Sequence, residues 1–106
     1  MREFSAVELK TYLEQREPAP LLLDVREPWE YETARIEGSR LAPMRIVPAL
    51  AMELDRHQEI VVICHHGIRS RQVCRYLESQ GFDNLINLSG GVDAWARDVD
   101  RRMPTY

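Results

Sequence analysis

The chain has 106 residues, 44% hydrophobic and 29% charged, a length and composition that fit one compact globular domain. Its longest apolar runs, residues 21–23 and 60–64, are far shorter than the roughly 20 residues that span a bilayer, which excludes a transmembrane helix. A net charge of −3 argues against a domain that binds nucleic acid or an anionic membrane. The N-terminus has no apolar signal-peptide core, so we expect a cytoplasmic protein.

The chain opens with a helix pattern that is followed by a strand pattern. Ser5 and Glu8 have the spacing of a capping box, which predicts a first helix over about 5–15. Residues 21–25 are a short apolar run bounded by turn residues, a pattern typical of a strand buried on both faces. We therefore expect residues 21–25 to form a central strand of a parallel sheet.

Two prolines mark the next two helices. Proline is tolerated in the first turn of a helix, where its missing N–H leaves no intrahelical bond unmade. Pro28 therefore predicts a helix that reaches about Ala34, and Pro48 predicts another that runs through Leu54.

The second half of the chain continues the alternation. Residues 60–64 carry the strongest strand pattern, and the helix after them ends in a Schellman-type stop at Gly81. Residues 86–88 predict a further strand. A last helix contains Val92, Trp95 and Val99. This alternation predicts an α/β layer fold, a single domain over 1–106 with a mostly parallel sheet and helices on both faces. Residues 99–106 form a polar tail that the pattern does not place, a candidate for a flexible segment.

The two cysteines are expected to remain free thiols. Cys64 ends a predicted strand, whereas Cys74 lies about two turns inside the following helix on its apolar face. Their Cα atoms should be farther apart than the roughly 7 Å limit for a disulfide. We interpret Cys74 as an inert core residue.

The loop after residues 60–64 is the strongest candidate for a functional site. Ligands in open α/β sheets bind outside the carboxyl ends of the strands, which is where Cys64 lies. The loop leads into a helix N-terminus, whose unpaired N–H groups and dipole favour negative charge, including a thiolate. Gly67 supplies the permissive backbone of a tight turn, and Arg69 provides a fork for an oxyanion.

The charge pattern around this loop supports the same hypothesis. Residues 60–77 contain no acidic side chain. The basic and imidazole side chains within this stretch are His65, His66, Arg69, Arg71 and Arg75. Their proximity in sequence predicts a local positive field that would make Cys64 a nucleophile, although the two histidines are equally consistent with solvated loop residues.

Three segments of the sequence resemble the rhodanese family of sulfurtransferases. They are residues 22–31 (LLDVREPWEY), residues 64–70 (CHHGIRS) and residues 88–95 (LSGGVDAW). Three motifs in order over nearly the whole chain are a specific signal. The resemblance implies a rhodanese-like three-layer domain, with a five-stranded parallel sheet flanked by helices, and Cys64 as the sulfur-carrying nucleophile.

The resemblance also implies a reaction. Cys64 would attack the outer sulfur of thiosulfate or a persulfide and pass it to cyanide or a thiol, which a thiol protein could supply, with ping-pong kinetics. No metal or organic cofactor would be required. The donor-binding residues would be His65, His66, Gly67, Ile68 and Arg69. Asp24 and Arg26 are interpreted as residues that position the loop, since such pairs at strand exits are often structural.

One position departs from the family pattern, and several alternatives stay open. Arg35 stands where the family usually has a histidine.

A phosphatase of the same fold is a less favoured alternative, because its loop has five residues between cysteine and arginine, and only four separate Cys64 from Arg69. A non-catalytic interaction module and a persulfide carrier are further alternatives. A metal site at Cys64, His65 and His66 ranks lowest, because adjacent side chains are expected to diverge and His57 is distant in sequence.

Overall fold

The computed structural model describes the whole chain, Met1–Tyr106. One sheet of five parallel strands has the order β1-β5-β4-β2-β3. The strands are β1 (Arg2–Phe4), β2 (Leu21–Asp24), β3 (Arg40–Leu41), β4 (Ile60–Ile63) and β5 (Leu85–Leu88). The helices are α1 (Ala6–Gln15), α2 (Pro28–Thr33), α3 (Val47–Ala51), α4 (Ile68–Ser79) and α5 (Gly91–Asp98), with a 3-10 turn at Met44–Ile46. The predicted α/β fold with a parallel sheet is confirmed.

The sheet separates two hydrophobic cores, one against α3 and α4 and the other against α1 and α5. Successive side chains of a strand point to opposite faces, so β4 contributes to both cores. Ile60 and Val62 face α4, while Val61 and Ile63 face α1 and α5. Cys64 continues the α4-facing set. Helices therefore cover both faces, as the alternation of patterns predicts.

The predicted start of α1 is confirmed by its hydrogen bonds. The Ser5 side chain accepts a hydrogen bond from the Glu8 amide at 3.1 Å, and Glu8 Oε1 accepts one from the Ser5 amide at 2.8 Å. Both bonds satisfy N–H groups that the first turn of a helix leaves unpaired. This reciprocal pair is the capping box, and it fixes where α1 begins.

The predicted Schellman stop of α4 is also present. Gly81 has a φ of +94°, its amide donates to the Glu78 carbonyl at 3.0 Å, and the Phe82 amide donates to the Leu77 carbonyl at 3.1 Å. Gly81 is favoured at this left-handed position because it has no Cβ. The stop turns the chain toward β5, and buried Phe82 packs into the same core as Leu77.

The structure differs from the predicted elements in two details. Strand β1 was not predicted, since Arg2–Phe4 is a short edge strand with no apolar alternation. Helix α3 ends at Ala51, before Leu54, because the chain tightens into a turn in which Met52 is 81% exposed. The predicted central strand β2 is an interior strand of the sheet, paired with β4 on one side and β3 on the other. None of the helices combines the length and apolar character needed to cross a membrane.

Candidate active site

Cys64 lies directly after β4, at the carboxyl end of the sheet. Its Sγ accepts hydrogen bonds from the Gly67 amide at 3.0 Å and the Ser70 amide at 3.3 Å. The side chain is almost completely buried, so these amides are its immediate polar surroundings. Because both N–H groups belong to the first turn of α4 and its cap, they stabilise negative charge on the sulfur.

The loop carbonyls are held on the opposite side by the N-terminus of α5. The Val92 amide donates to the Cys64 carbonyl at 2.9 Å, and the Asp93 amide donates to the His65 carbonyl at 3.0 Å. This packing requires Gly91, because a Cβ there would lie 2.4 Å from both carbonyl oxygens. Gly91 therefore allows the close approach, and the two amides that follow it hold the loop by its carbonyls.

Gly67, within the loop, packs closely against the segment that joins β5 to α5. It has a φ of +95°, and a Cβ at this position would lie 3.1 Å from the Gly90 amide nitrogen and from the Leu88 carbonyl oxygen. The left-handed backbone and the close approach both favour glycine. The amides of His66, Ile68 and Arg69 have no acceptor within the protein and stay available to a bound anion.

A polar network, which we call the inner network, runs from buried Cys64 through β5 to the exposed side chain of Glu3 on β1. It consists of Ser70, Asn87 and Glu3. The Ser70 hydroxyl lies 3.3 Å from Cys64 Sγ and donates to Asn87 Oδ1. The Asn87 amide donates to Glu3 Oε1 at 2.8 Å and to the Gly67 carbonyl at 3.2 Å. Every member holds the next in one orientation, and the chain of bonds ends on the sulfur.

The carboxylate of the inner network is ionised. Burial alone would raise the pKa of Glu3, but hydrogen bonds from Arg71, Ser89 and Asn87 outweigh it and lower the pKa to about 2. A charged acceptor strengthens the hydrogen bond from the Asn87 amide. The oxygen of that amide therefore stays directed at Ser70.

Sequence reasoning missed the inner network. Ser70 was only part of a motif, and no role was predicted for Asn87 or Glu3. Asn87 carried a usable signal, because it is a lone amide side chain within the apolar strand Leu85–Leu88 and is fully buried. A buried polar group requires partners, which must come from neighbouring elements. Glu3 carried no such signal, since its strand was not predicted.

A second network, which we call the outer network, lies on α2 and the first turn of α4. Its core is Glu30 with Arg69, whose Nη1 and Nη2 each contact one Glu30 oxygen at 2.8 Å. The hydrogen bonds from Arg69 lower the pKa of Glu30 to about 2 against the opposing effect of burial, and they raise the pKa of Arg69. The predicted anion-binding fork is thus occupied by a carboxylate.

Tyr106 connects the polar tail to the outer network. Its hydroxyl accepts from Arg26 Nη1 at 2.7 Å and donates to Glu30 Oε2 at 2.9 Å. Burial is the main cause that raises the pKa of Tyr106 to about 12, so the phenol keeps its proton and can donate. The ring stacks on His65 with centroids 3.9 Å apart and planes 10° apart. The tail that the sequence pattern did not place thus covers one side of the loop.

Asp24 and Arg26 form the predicted carboxylate–arginine pair. Both side chains are fully buried, and Arg26 Nε and Nη2 bind the two Asp24 oxygens at 2.9 and 2.8 Å. Burial acts to lower the pKa of Arg26, but the Asp24 and Tyr106 hydrogen bonds outweigh it and raise the pKa. Arg26 Nη2 also donates to the Ala34 carbonyl at 2.6 Å, which ties β2 to the end of α2. The pair has no hydrogen bond to Cys64.

The positive field that the sequence predicts is largely paired. Arg69 binds Glu30, and Arg71 Nε binds Glu3 Oε2 at 2.8 Å. These acidic partners lie far away in sequence, so a run without acidic residues did not reveal them. Arg75 remains exposed without an ion pair. The hydrogen bonds to the sulfur therefore come from backbone amides, whereas Arg69 and Arg71 bind carboxylates.

The side chains of His65 and His66 lie together. Their ring centroids are 3.9 Å apart, so the expectation that these adjacent side chains diverge is wrong. Burial, and then the neighbouring His66, lower the pKa of His65. His66 Nδ1 is 3.9 Å from Asp93 Oδ2. The distant His57 pairs with Asp83 at 2.8 Å and lies outside this group.

Cys74 has the surroundings of a core residue. It is fully buried within the core beneath α4, and burial raises the pKa of its thiol to about 12. Both cysteines are free, as predicted. Both thiols belong to the same core, but only Cys64 Sγ has polar contacts, which makes Cys74 a natural control for Cys64.

A cavity of about 310 Å³ opens beside the loop. It is lined by Val25, Glu27, Met44, Arg45 and Arg69. The Val25 amide donates a hydrogen bond at 2.9 Å to the carbonyl of Ile63, the residue directly before Cys64. Its two guanidinium groups are each paired with a carboxylate, Arg45 with Glu27 at 2.8 Å and Arg69 with Glu30 at 2.8 Å.

Arg35, which replaces a histidine of the family pattern, lies outside these networks. Its guanidinium carbon is 4.9 Å from the centre of the Tyr31 ring, a cation–π contact on α2. Arg35 also lines a separate cavity with Trp95 and Met103. No hydrogen bond connects it to Cys64.

The comparisons with known proteins agree with this architecture. The family model described as the rhodanese-like domain matches residues 5–98. The chain belongs to the rhodanese-like family. A protein of Allochromatium vinosum named sulfurtransferase is 39% identical over 77 residues, which cover 73% of this chain and 72% of that protein.

A plant member of the rhodanese-like family is similarly related. The rhodanese-like/PpiC domain-containing protein 12, chloroplastic, of Arabidopsis thaliana is 39% identical over 89 residues. This match covers 80% of the chain but spans only 30% of the plant protein.

Solved rhodanese-like structures have the same fold. A rhodanese-like domain protein from Staphylococcus aureus is 30% identical, with a TM-score of 0.81 and coverage of 90% of this chain and 91% of that one. A protein from Staphylococcus saprophyticus reaches a TM-score of 0.83 at 30% identity, covering 93% and 97% of the two chains. The rhodanese-like sheet with flanking helices is therefore the fold of this chain.

Proposed function

We propose that this rhodanese-like domain is a sulfurtransferase that moves the sulfane sulfur of thiosulfate or a persulfide through a persulfide on Cys64. The observation that carries the proposal is the sulfur's cradle, in which the Gly67 and Ser70 amides bind Sγ at 3.0 and 3.3 Å. The relationship to a protein named sulfurtransferase supports the same general chemistry.

The reaction divides into two half-reactions on one sulfur atom. In the first, the Cys64 thiolate attacks the outer sulfur of thiosulfate, a new S–S bond forms, and sulfite leaves with the electron pair of the broken S–S bond. In the second, cyanide or a thiolate attacks the outer sulfur of the persulfide. The product is thiocyanate or a new persulfide, and the electron pair returns to Cys64 as thiolate.

The loop amides would stabilise the persulfide. An added sulfur atom extends beyond the almost fully buried Sγ and carries the negative charge. The amides of His66, Ile68 and Arg69 have no other acceptor in the protein, and they flank Gly67 in the same loop. Preorganised N–H donors of this kind stabilise charge without reorganising during the reaction.

Arg69 would orient the sulfonate end of thiosulfate. It lines the cavity beside the loop together with Arg45. Because both Nη atoms of Arg69 bind Glu30 at 2.8 Å, the donor must share the guanidinium or displace the carboxylate. Glu30 would thereby regulate how tightly an anionic donor is held. Asp24 and Arg26 would act as positioning residues, since they brace β2 against α2.

The domain would act on small anionic sulfur donors, and its acceptor would be cyanide, a small thiol or a thiol protein. We propose a cytoplasmic setting without nucleic-acid or membrane partners, which is consistent with the net charge of −3. No metal or organic cofactor takes part in either half-reaction.

The decisive experiment measures intact mass after incubation with thiosulfate. Wild-type protein and Cys74→Ser should each gain one sulfur atom that cyanide removes as thiocyanate. Cys64→Ser should gain none. Cys74→Ser is the matched control because Cys74 is a buried thiol outside the loop.

Two results would contradict the proposal. If folded, reduced wild-type protein gains no sulfur, the domain is better explained as an interaction module. If it instead hydrolyses phosphate esters faster than Cys64→Ser does, a phosphatase activity replaces sulfur transfer.

A further inference from the structure

Three potential metal-binding side chains meet on one side of the loop. The ligand atoms of His65, His66 and Asp93 all lie within 4.8 Å of one another. Two come from the loop and the third from the first turn of α5. The Asp93 amide donates to the His65 carbonyl at 3.0 Å, so the backbone that carries the three side chains is fixed.

The side chains of this cluster are partly ordered and partly free to adjust. The His65 ring is stacked between neighbours, with Tyr106 at 3.9 Å and His66 at 3.9 Å between centroids. The His66 side chain is 58% exposed, so solutes can reach it. One imidazole is thus held in place while the other two groups can rotate toward a shared ligand.

We propose that His65, His66 and Asp93 form a binding site for a divalent transition-metal ion of the zinc class. Imidazole nitrogens and a carboxylate oxygen are donors that Zn²⁺ prefers, and three protein ligands leave at least one coordination position open. Metal binding at this site does not require the proposed sulfur transfer. The three side chains of the site make no hydrogen bond to Cys64 Sγ, and the site shares only the loop backbone with the sulfur's surroundings.

The distances allow the site to close with side-chain rotation. Bonds of roughly 2.0–2.1 Å in a tetrahedral zinc site place ligand atoms about 3.4 Å apart. His66 Nδ1 and Asp93 Oδ2 are already 3.9 Å apart. Arg97 lies 3.6 Å from the same Asp93 oxygen, but its side chain is 64% exposed and can turn into solvent.

The test is Zn²⁺ titration by calorimetry, with the imidazole signals followed by NMR. We use Cys64→Ser as the background so that its thiol cannot supply a ligand. One Zn²⁺ should bind per chain, and the ring signals of His65 and His66 should shift while those of His57 do not. His66→Ala and Asp93→Asn should each weaken binding about tenfold or more.

His57→Ala is the matched control, because His57 also faces an aspartate, Asp83, but lacks a second imidazole. It should leave the affinity unchanged. Equal weakening by His57→Ala, or unchanged affinity in His66→Ala, would overturn the proposed site. Because the His66 side chain projects into solvent, His66→Ala is expected to fold, and an unchanged melting temperature without metal verifies this.

Discussion

The inner and outer networks flank the same loop but differ in what they contact. The inner network of Ser70, Asn87 and Glu3 reaches the Cys64 sulfur directly, and both Ser70 and Asn87 are fully buried. The outer network is built on Glu30 and Arg69, makes no hydrogen bond to the sulfur, and leaves the Arg69 side chain 35% exposed. This difference supports the proposal that the inner network positions the Cys64 sulfur, and that the outer network sets how an anionic donor reaches it.

Asn87→Leu should give the largest loss of stability. The substitution removes the partner of Ser70, Glu3 and the Gly67 carbonyl at once. A buried polar group left without a partner costs roughly 1–3 kcal/mol, so we expect the free energy of unfolding to fall by about 3 kcal/mol or more. Urea denaturation measures this change.

The comparison for Asn87 is Asn84, an amide side chain directly before β5 whose contacts lie at the surface. Asn84→Leu should change the free energy of unfolding by less than about 1 kcal/mol. A similar loss in the two variants would show that the inner network contributes no special stability.

Arg69→Ala and Glu30→Gln should affect thiosulfate in opposite directions. Removing the guanidinium deletes the charged fork for the donor, and a charge-assisted interaction of roughly 1.5–3 kcal/mol corresponds to a loss of about 10- to 100-fold in kcat/KM. Glu30→Gln releases Arg69 from its ion pair and should lower the KM for thiosulfate. Initial rates at varied thiosulfate and fixed cyanide measure both effects.

Arg75→Ala is the matched control, since Arg75 is an exposed arginine of the same helix without an ion pair. It should leave the KM for thiosulfate unchanged. If Arg69→Ala also slows the transfer from the persulfide to a thiol as much as the reaction with thiosulfate, Arg69 does not orient the donor.

Acid should weaken both networks over the same pH range. The pKa values of Glu3 and Glu30 are about 2 in the folded protein, below their ordinary 4.5. A carboxyl group with a lowered folded pKa stabilises the protein above its unfolded pKa, and this stabilisation is lost as pH falls from about 4.5 toward 2. Urea unfolding at pH values of about 6, 4 and 3 should show this decline.

Glu3→Gln and Glu30→Gln should each flatten that pH dependence. If one variant reduces the pH dependence of the free energy of unfolding more than the other, its network contributes more of the acid sensitivity. A pH profile that neither variant changes would show that other carboxylates cause the acid sensitivity.

The sequence predicted the elements whose patterns are local, and it missed contacts between distant segments. The capping box at Ser5, the Schellman stop at Gly81 and the position of Cys64 after β4 each depend on neighbouring residues, and each is confirmed. Arg69 and Glu30 are 39 positions apart, so their ion pair had no local signal. Glu3 had no local signal either, because it lies on the unpredicted edge strand β1 and its partner Asn87 is 84 positions away.

The roles of two further features could not be predicted from the sequence, because they depend on which segments meet in the folded chain. The Gly90 and Gly91 motif was visible, but only the structure shows that Gly91 lets α5 bind the loop carbonyls. The polar tail had no periodicity, and its packing depends on one tyrosine that contacts Arg26, Glu30 and His65. Neither contact follows from a propensity or a spacing.

Tyr106→Phe should give the smallest effect and separates the hydroxyl from the ring. Loss of the hydroxyl removes the bonds to Arg26 and Glu30 but keeps the stacking on His65. We expect the free energy of unfolding to fall by about 1 kcal/mol. The KM for thiosulfate should fall slightly, because Glu30 loses one of the donors that orient it toward Arg69.

Tyr106→Ala provides the contrast because it also removes the ring. If stacking orders the loop, Tyr106→Ala should speed amide hydrogen exchange at His65 and His66, whereas Tyr106→Phe should not. Equal exchange rates in the two variants would assign the contribution of Tyr106 to its hydroxyl alone. The outer network would then extend to the tail through hydrogen bonds, and the covering of the loop would be a consequence of that attachment.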